Sequence, residues 1–269
     1  MTMPCFDTVI LSDLHLGSEV SRAKDALQAL KAMSFRRLIL LGDIFCDLNF
    51  RRLNKEHWQF LSYIRKLSNP KREIETVWIE GNHDHGLSEV MSHLVGIRVY
   101  EEYEWEYSGV SHLAVHGHQF DRFVVNNRWA SGILIAVHEY LQKFSFGKKR
   151  IVGFLERFDT NWLRLSSKVC AGAIEHAKNR EVSRIFCGHT HEALQVRRDG
   201  IAYYNSGSWT QAKATFVTID AKGVTIHEYD ERTHNHYSGE ERGETHLETS
   251  NVACESGLPR DAEYESVFG

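Results

Sequence analysis

The stretch "TVILSDLHLG" (residues 8–17) reads as a short buried strand that stops at Leu11 and is followed at once by Ser12, Asp13 and His15. Two later stretches share its form: "RLILLGD" (37–43) and "TVWIEGN" (76–82) are apolar runs that end in Gly42-Asp43 and Gly81-Asn82. Between them, Ala23 to Met33 and the region from Lys55 to Leu67 carry a helical pattern. Buried strands that alternate with helices predict a mostly parallel sheet covered on both faces. Ligands bind such sheets at the carboxyl ends of the strands, so the three polar endings are predicted to converge on one rim.

The texture changes from Ile97. "IRVYEEYEWEYSGVSHLAVHGH" (97–118) alternates apolar residues about a Ser-Gly turn, which predicts antiparallel strands. Then comes a long segment of helical spacing, through Trp129, Ile133, Val137, Tyr140, Leu141 and Phe144, through Ile151, Leu155 and Phe158, and through Trp162, Leu165, Val169 and Ala173. Strands resume at "SRIFCGH" (183–189), "ALQV" (193–196), "IAYYN" (201–205), "ATFVTI" (214–219) and "GVTIHEY" (223–229). The expected organisation is one domain over 1–230, a helical insertion at about 121–180, and a polar, acidic, disordered tail over 231–269.

A net charge of −4 says little about partners, but the 16 histidines matter because several stand beside Asp or Asn. The five cysteines are scattered and contain no C-x-x-C pair, which argues against a disulfide framework or a cysteine zinc site and fits a reducing cytosol. The N-terminal stretch has no charged n-region before an apolar core, so no secretory signal is expected. No apolar run is long enough to span a bilayer.

Five segments carry the chemistry: "SDLHLG" with Asp13 and His15, "GDIFCD" with Asp43, "GNHDH" with Asn82, His83 and Asp84, "VHGH" with His116, and "GHTH" with His189 and His191. Each alone is an ordinary turn. All five lie just after an apolar strand-like run, and in that position they form a set. Three Asp/Asn and four His supply oxygen and imidazole nitrogen without thiolate, which suits hard or borderline divalent ions. Seven donors exceed one four-coordinate shell and suffice for two ions that share a carboxylate. Such pairs, about 3.5–4 Å apart, clamp the attacking and leaving oxygens of an in-line displacement and lower the pKa of the attacking water.

The order D-x-H, G-D, G-N-H-D, H, G-H-x-H resembles the calcineurin-like metallophosphoesterase superfamily over roughly residues 7–229. The resemblance implies an α/β fold, a four-layer α/β/β/α sandwich with a dimetal site at one end and, here, a helical lid insertion. It implies that Asp13, His15 and His191 hold the first metal, that Asn82, His116 and His189 hold the second, and that Asp43 bridges. His83 would contact the phosphate, either as proton donor to the leaving oxygen or as a hydrogen-bond donor alone, with Asp84 to orient it. Where many members read G-D-x-x-D, this chain has Cys46 and places Asp47 one residue later, at a position that is usually no ligand. His85 and His118 stand beside the motifs without a role in them.

Residues 121–180 hold eleven Lys/Arg against five Asp/Glu, a local +6 on an apolar, helical segment. One reading is a helical subdomain with a solvated basic face. The other is a lid with an apolar groove for acyl chains and a basic rim for anionic headgroups. With "HGHQFD" (116–121) and "YYNSGSW" (203–209), the insertion resembles the UDP-2,3-diacylglucosamine diphosphatases of lipid A synthesis. That branch releases 2,3-diacylglucosamine 1-phosphate (lipid X) and UMP, usually with Mn²⁺, at the cytoplasmic face of the inner membrane. Its best-known members carry Arg in place of His83, H-G-D in place of "HGH" and G-H-T-H-R-P in place of "GHTHEA".

The expectation is therefore a hydrolase with two divalent ions (Mn²⁺, with Fe, Zn or Co as alternatives) acting on a lipid-linked nucleotide, cytoplasmic and peripheral on the inner membrane through its basic lid. The alternatives are another lipid-linked, nucleotide or nucleic-acid phosphodiester, a phosphomonoester, or a non-catalytic binding scaffold. Nucleic acid is disfavoured, because the lid aromatics follow helical spacing instead of interleaving for base stacking.

Overall fold

The structure is a computed structural model that describes residues 4–84, 86, 96–121, 152–229 and 263–266; for 152–164 and 263–266 it describes the backbone alone. Three strands, β1 (Cys5–Leu11), β2 (Ser34–Leu41) and β3 (Glu75–Ile79), run parallel with Leu11 beside Leu40 and Leu41 beside Ile79. The short β4 (Val99–Tyr100) extends them, and the hairpin β10 (Ala214–Asp220) and β11 (Gly223–Tyr229) closes the other side, giving the order β11-β10-β1-β2-β3-β4. The second sheet comprises β5 (Glu102–Tyr107), β6 (Val110–Val115), β7 (Arg184–Cys187), β8 (Ala193–Arg198), β9 (Ile201–Ser206) and β12 (Glu263–Ser266). Its order is β12-β8-β9-β7-β6-β5, with β6, β7 and β9 parallel.

The strand period of two assigns each apolar residue to a layer. Val9, Leu11, Leu38, Leu40 and Trp78 face helices α1 (Ala23–Lys31) and α2 (Lys55–Leu67), packing on Ala26, Leu30, Phe60 and Ile64. Ile10, Ile39, Leu41, Val77 and Ile79 point the other way and meet Trp105, Ala114, Phe186 and Tyr204 of the second sheet. Behind that sheet, Leu113, Val115, Ile185 and Tyr203 pack on Cys170, Ala173, Ile174 and Ala177 of α3 (Val152–Asn179). Three apolar layers between four structural ones make the α/β/β/α sandwich that the resemblance implies.

Three expectations change at the edges. The helix predicted to reach Met33 ends at Lys31, with Ala32 as its C-cap. Val99–Tyr100 belongs to the first sheet, so the chain crosses between sheets before the Ser108-Gly109 hairpin turn, whose residues both have positive φ (52° and 74°) as a type I′ turn requires. Within the stretch read as a solvated tail, Glu263–Ser266 pairs antiparallel with β8. The rest of the tail, most lid positions (122–151) and His85 lie outside the described residues.

The long helix α3 also bears on the site. Ser166 lies level with Glu192, to which it is hydrogen bonded. The fourteen helical residues before it add about 21 Å at 1.5 Å per residue. They carry the root of the insertion past the sandwich on the side where β7 ends.

Candidate metal centre

The polar strand endings meet at one end of the sandwich. Asp13 and His15 follow β1, Asp43 follows β2, and Asn82, His83 and Asp84 follow β3; from the second sheet, His116 follows β6, and His189 and His191 follow β7. Asp13, His15, Asp43, Asp84, His116 and His189 are buried, and Asn82, His83 and His191 are half-buried. The backbone is bent sharply here. Asp13, His15, Asp43, His189 and His191 all have left-handed φ, between 47° and 67°. Such residues cost on the order of 1–3 kcal/mol each and persist where the surroundings over-determine them.

Those surroundings are hydrogen bonds between the loops. The Asp13 N–H donates to the Gly42 carbonyl (3.1 Å), and the His15 N–H to the Asp43 carbonyl (3.0 Å). The two sheets are tied by the His189 N–H, which donates to Asp13 Oδ2 (3.1 Å), while the Gly188 N–H donates to the His116 carbonyl (3.0 Å) within the second sheet. Gly42 has φ 80°, and a Cβ there would lie 2.4 Å from His116 Nδ1; at Gly188 it would lie 2.5 Å from Asp13 Oδ2. Glycine is required at both places because a candidate ligand side chain, His116 or Asp13, occupies the space.

The side chains gather into two groups whose donor atoms lie within 4.8 Å of one another: Asp13, His15 and His191, and then Asp43, His116 and His189. Asp43 also groups with His15 and His83, so it stands between the two. His15 Nε2 and His191 Nε2 are 3.2 Å apart, His191 Nε2 and Asp13 Oδ1 are 3.0 Å apart, and His116 Nε2 and Asp43 Oδ2 are 3.3 Å apart. Two ligands at about 2.1 Å from one ion, at angles from square to tetrahedral, lie about 3.0 to 3.4 Å from each other.

Several donors are also orphaned in a way that an ion would repair. Asp13 Oδ1, Asn82 Oδ1, His116 Nε2 and both ring nitrogens of His189 are buried without an aligned hydrogen bond. Buried polar atoms are normally paired, because desolvating them uncompensated costs free energy. With oxygen and imidazole nitrogen only, the set fits one or two hard or borderline divalent ions.

Tautomers and charge agree with this. The His116 Nδ1–H donates to the Leu41 carbonyl (2.8 Å), which turns Nε2 toward Asp43. Burial would lower the His116 pKa, but the charge of Asp43 beside it raises it to about 9. Burial would likewise raise Asp43, yet His116 and His83 hold it well below the ordinary carboxyl range. Without metal the two form an imidazolium–carboxylate pair, whose proton an ion would displace. His15, lowered to about 3 mainly by burial, keeps its lone pair free.

The expectation for Asp84 needs correction. The His83 Nδ1–H donates to the Cys46 carbonyl (2.7 Å), so that carbonyl, not Asp84, sets the ring. The two Asp84 oxygens instead accept from the Ile44 and Phe45 N–H groups (2.9 and 2.8 Å) and brace the loop that carries Asp43. Burial, with the charge of Asp43, raises the Asp84 pKa to about 7. His83 Nε2 lies 4.0 Å from Asp43 Oδ2. Sequence reading missed Asp121, whose Oδ2 lies 3.5 Å from His189 Nε2; the only signal was its place in "HGHQFD". His118 stands nearby, its ring centroid 5.6 Å from that of His116.

The calcineurin-like phosphoesterase family model matches residues 6–193. Similar solved structures include an archaeal phosphodiesterase (14% identity, 82% of this chain and 98% of that one, TM-score 0.44). They also include a Vps29 from Entamoeba histolytica (13%, 82% and 97%, TM-score 0.40) and a predicted phosphoesterase from Streptococcus pneumoniae TIGR4 (13%, 83% and 97%, TM-score 0.37). No curated protein matches the chain. The family match takes in most of the chain and every candidate ligand from Asp13 to His191, and this protein belongs to the calcineurin-like phosphoesterase family of metal-dependent phosphoester hydrolases.

Proposed function

We propose that this protein is a dimetal hydrolase of a phosphodiester or pyrophosphate, with UDP-2,3-diacylglucosamine as substrate and lipid X and UMP as products. The observation that carries the reading is the pair of three-residue groups that meet at Asp43 and hold orphaned oxygens and nitrogens. Asp13, His15 and His191 would hold one ion, Asn82, His116 and His189 the other, with Asp43 between them. Bound there, two divalent ions, Mn²⁺ in this reading, would lower the pKa of the attacking water and neutralise the phosphoryl oxygens.

The chain's own groups do the rest. Asp43 Oδ1 is fixed by the His83 N–H (2.8 Å), which leaves Oδ2 directed at the site. His83, with Nδ1–H committed to the Cys46 carbonyl, presents Nε2 as a donor to phosphate and, when protonated, as proton source for the leaving oxygen. Burial lowers its pKa, but Asp43, the Cys46 carbonyl and Asp84 outweigh that and raise it.

The lipid-linked substrate is supported by the apolar, basic insertion between His116 and His189, by "YYNSGSW", and by α3 projecting on the side of the site. In this reading the insertion is the contact with the cytoplasmic face of the membrane. No helix among the described residues is long and apolar enough to cross one.

The test is hydrolysis of UDP-2,3-diacylglucosamine with added Mn²⁺, beside the Asp43→Ala variant and beside bis(p-nitrophenyl) phosphate. Lipid X and UMP from the wild type alone are expected. Cleavage of only the generic diester would remove the lipid A substrate and leave the two-metal chemistry. Cleavage of neither would overturn both.

A further inference from the structure

The insertion between His116 and His189 is rooted in the fold at two points, and both touch the loop that carries His189 and His191. At the first root, Asp121 is 5% exposed and holds Oδ2 3.5 Å from His189 Nε2. At the second, the buried Ser166 hydroxyl on α3 donates to Glu192 Oε2 at 2.7 Å. The roots are packed together. Phe120, in the 3₁₀ turn His118–Phe120, lies against Gly172 of α3 so closely that a Cβ there would sit 2.9 Å from the Phe120 Cβ. The Asp121 N–H donates back to the His118 carbonyl (3.0 Å), which fixes the carboxylate at the end of this turn.

His189 needs such a partner. A histidine ligand gives one nitrogen to the ion, and the other, as N–H, requires an acceptor that sets tautomer and ring plane. Among the described residues, Asp121 is the carboxylate within 4.0 Å of a His189 ring nitrogen. Its separation exceeds a full hydrogen bond by a few tenths of an ångström, an offset common at sites that tighten only when loaded.

We propose that Asp121 is a positioning residue for the metal centre: its carboxylate accepts the His189 Nε2–H and leaves Nδ1 for the second ion. Together with Ser166 and Glu192, it makes the two roots of the insertion a clamp on the "GHTHE" loop. This rests on the dimetal reading above.

Metal-free protein should be titrated with Mn²⁺ by calorimetry, with bound metal counted after dialysis, for the wild type, Asp121→Ala, Asp121→Asn and Ser166→Ala. The wild type is expected to take up two ions. Asp121→Ala should weaken one of them by about 10–100-fold and leave the other unchanged, the usual effect of losing a partner of a ligating histidine. Asp121→Asn, which keeps an acceptor oxygen without the charge, should recover part of the loss, and Ser166→Ala should cause a smaller one. An alanine variant that binds both ions as the wild type does overturns the inference, as does one that keeps its thermal transition and loses both ions equally. If alanine prevents folding, asparagine carries the test, and unchanged affinity for both ions overturns the proposal. A wild type that binds no ion pair overturns the dimetal reading itself.

Discussion

Strand β6 carries the buried His112 and is followed at once by the buried His116, four residues on, and both are 0% exposed. They have opposite chemistry. His112 lies between aromatic rings, 5.0 Å from Trp105 and 5.8 Å from Phe186 by centroid. Its Nδ1–H donates to the Val110 carbonyl (2.7 Å), and its Nε2 accepts from Arg184 (3.4 Å). His116 also commits Nδ1–H to a carbonyl, but its Nε2 is left facing Asp43. Burial and residue type are the same. The nitrogen that faces Asp43 without an aligned hydrogen bond separates a candidate ligand from a core residue, because a buried polar atom placed so makes sense where something else completes its contacts.

The largest effect should come from exchanging the roles by mutation. His116→Ala is expected to lower kcat/KM on a phosphodiester by on the order of 10³-fold in molecules that remain folded, as judged by near-UV circular dichroism, because in the proposed reading it removes a ligand of the ion pair. His112→Ala should do the reverse: lose about 3 kcal/mol of stability through the cavity and broken stacking, read as a lower urea midpoint, while kcat stays within about twofold. If both variants lose activity only in proportion to their unfolded fraction, the two histidines are the same kind of residue and the comparison fails.

What could be read beforehand follows the same division. The parallel strands were legible because Val9 and Leu11 on one face and Ile10 on the other are all apolar, as burial on both faces demands. Helix α2 was legible from its periodicity, and its ends are Lys55 and Leu67 as expected. The histidines and carboxylates were legible because each follows such a strand. What escaped was whatever depends on contacts between distant segments. The membership of Val99–Tyr100 in the first sheet is a pairing choice that two residues cannot encode. Asp84 follows His83 in the chain, yet bonds to Ile44 and Phe45 some forty positions away. Asp121 has neither periodicity nor a repeated spacing to mark it.

A smaller effect, with a defined sign, comes from pH. Burial pushes the His112 pKa down to about 4, against about 6.5 in an unfolded chain. A folded pKa below the unfolded one means that the unfolded state binds more protons in that interval, so the stability is present above pH 6.5 and is lost as pH falls toward 4. The loss should be on the order of 2 kcal/mol. Carboxylates and histidines of the metal centre titrate too, so the measurement is a difference: urea midpoints of the wild type and His112→Gln from pH 7 to pH 4.5, both in chelator. The wild type should fall more steeply over that range, and parallel curves would show that His112 takes up its proton without unfolding cost.

The smallest effect tests a third buried histidine, His57, which sequence reading passed over. It is 2% exposed and occupies the third position of α2, where its Nδ1 accepts from the Asn54 N–H and from the Gly17 N–H, each at 3.2 Å. Asn54 answers through Oδ1, which accepts from the His57 N–H (3.0 Å), so the pair forms a reciprocal helix cap. His57 therefore belongs with His112 as a satisfied core residue, although Gly17 ties it to the loop that bears His15. Asn54→Ala should cost about 1 kcal/mol, the usual loss of a cap. His57→Ala should cost more, since it also strands the Gly17 N–H, and a double-mutant cycle should show coupling of about 0.5–1 kcal/mol between them. Neither should change kcat by more than about twofold if the Asp43 and Asp13 contacts alone hold the His15 loop. A tenfold fall for His57→Ala without one for Asn54→Ala would locate the loss at Gly17, and would make this imidazole a support of the metal site reached through backbone, the intermediate case between His112 and His116.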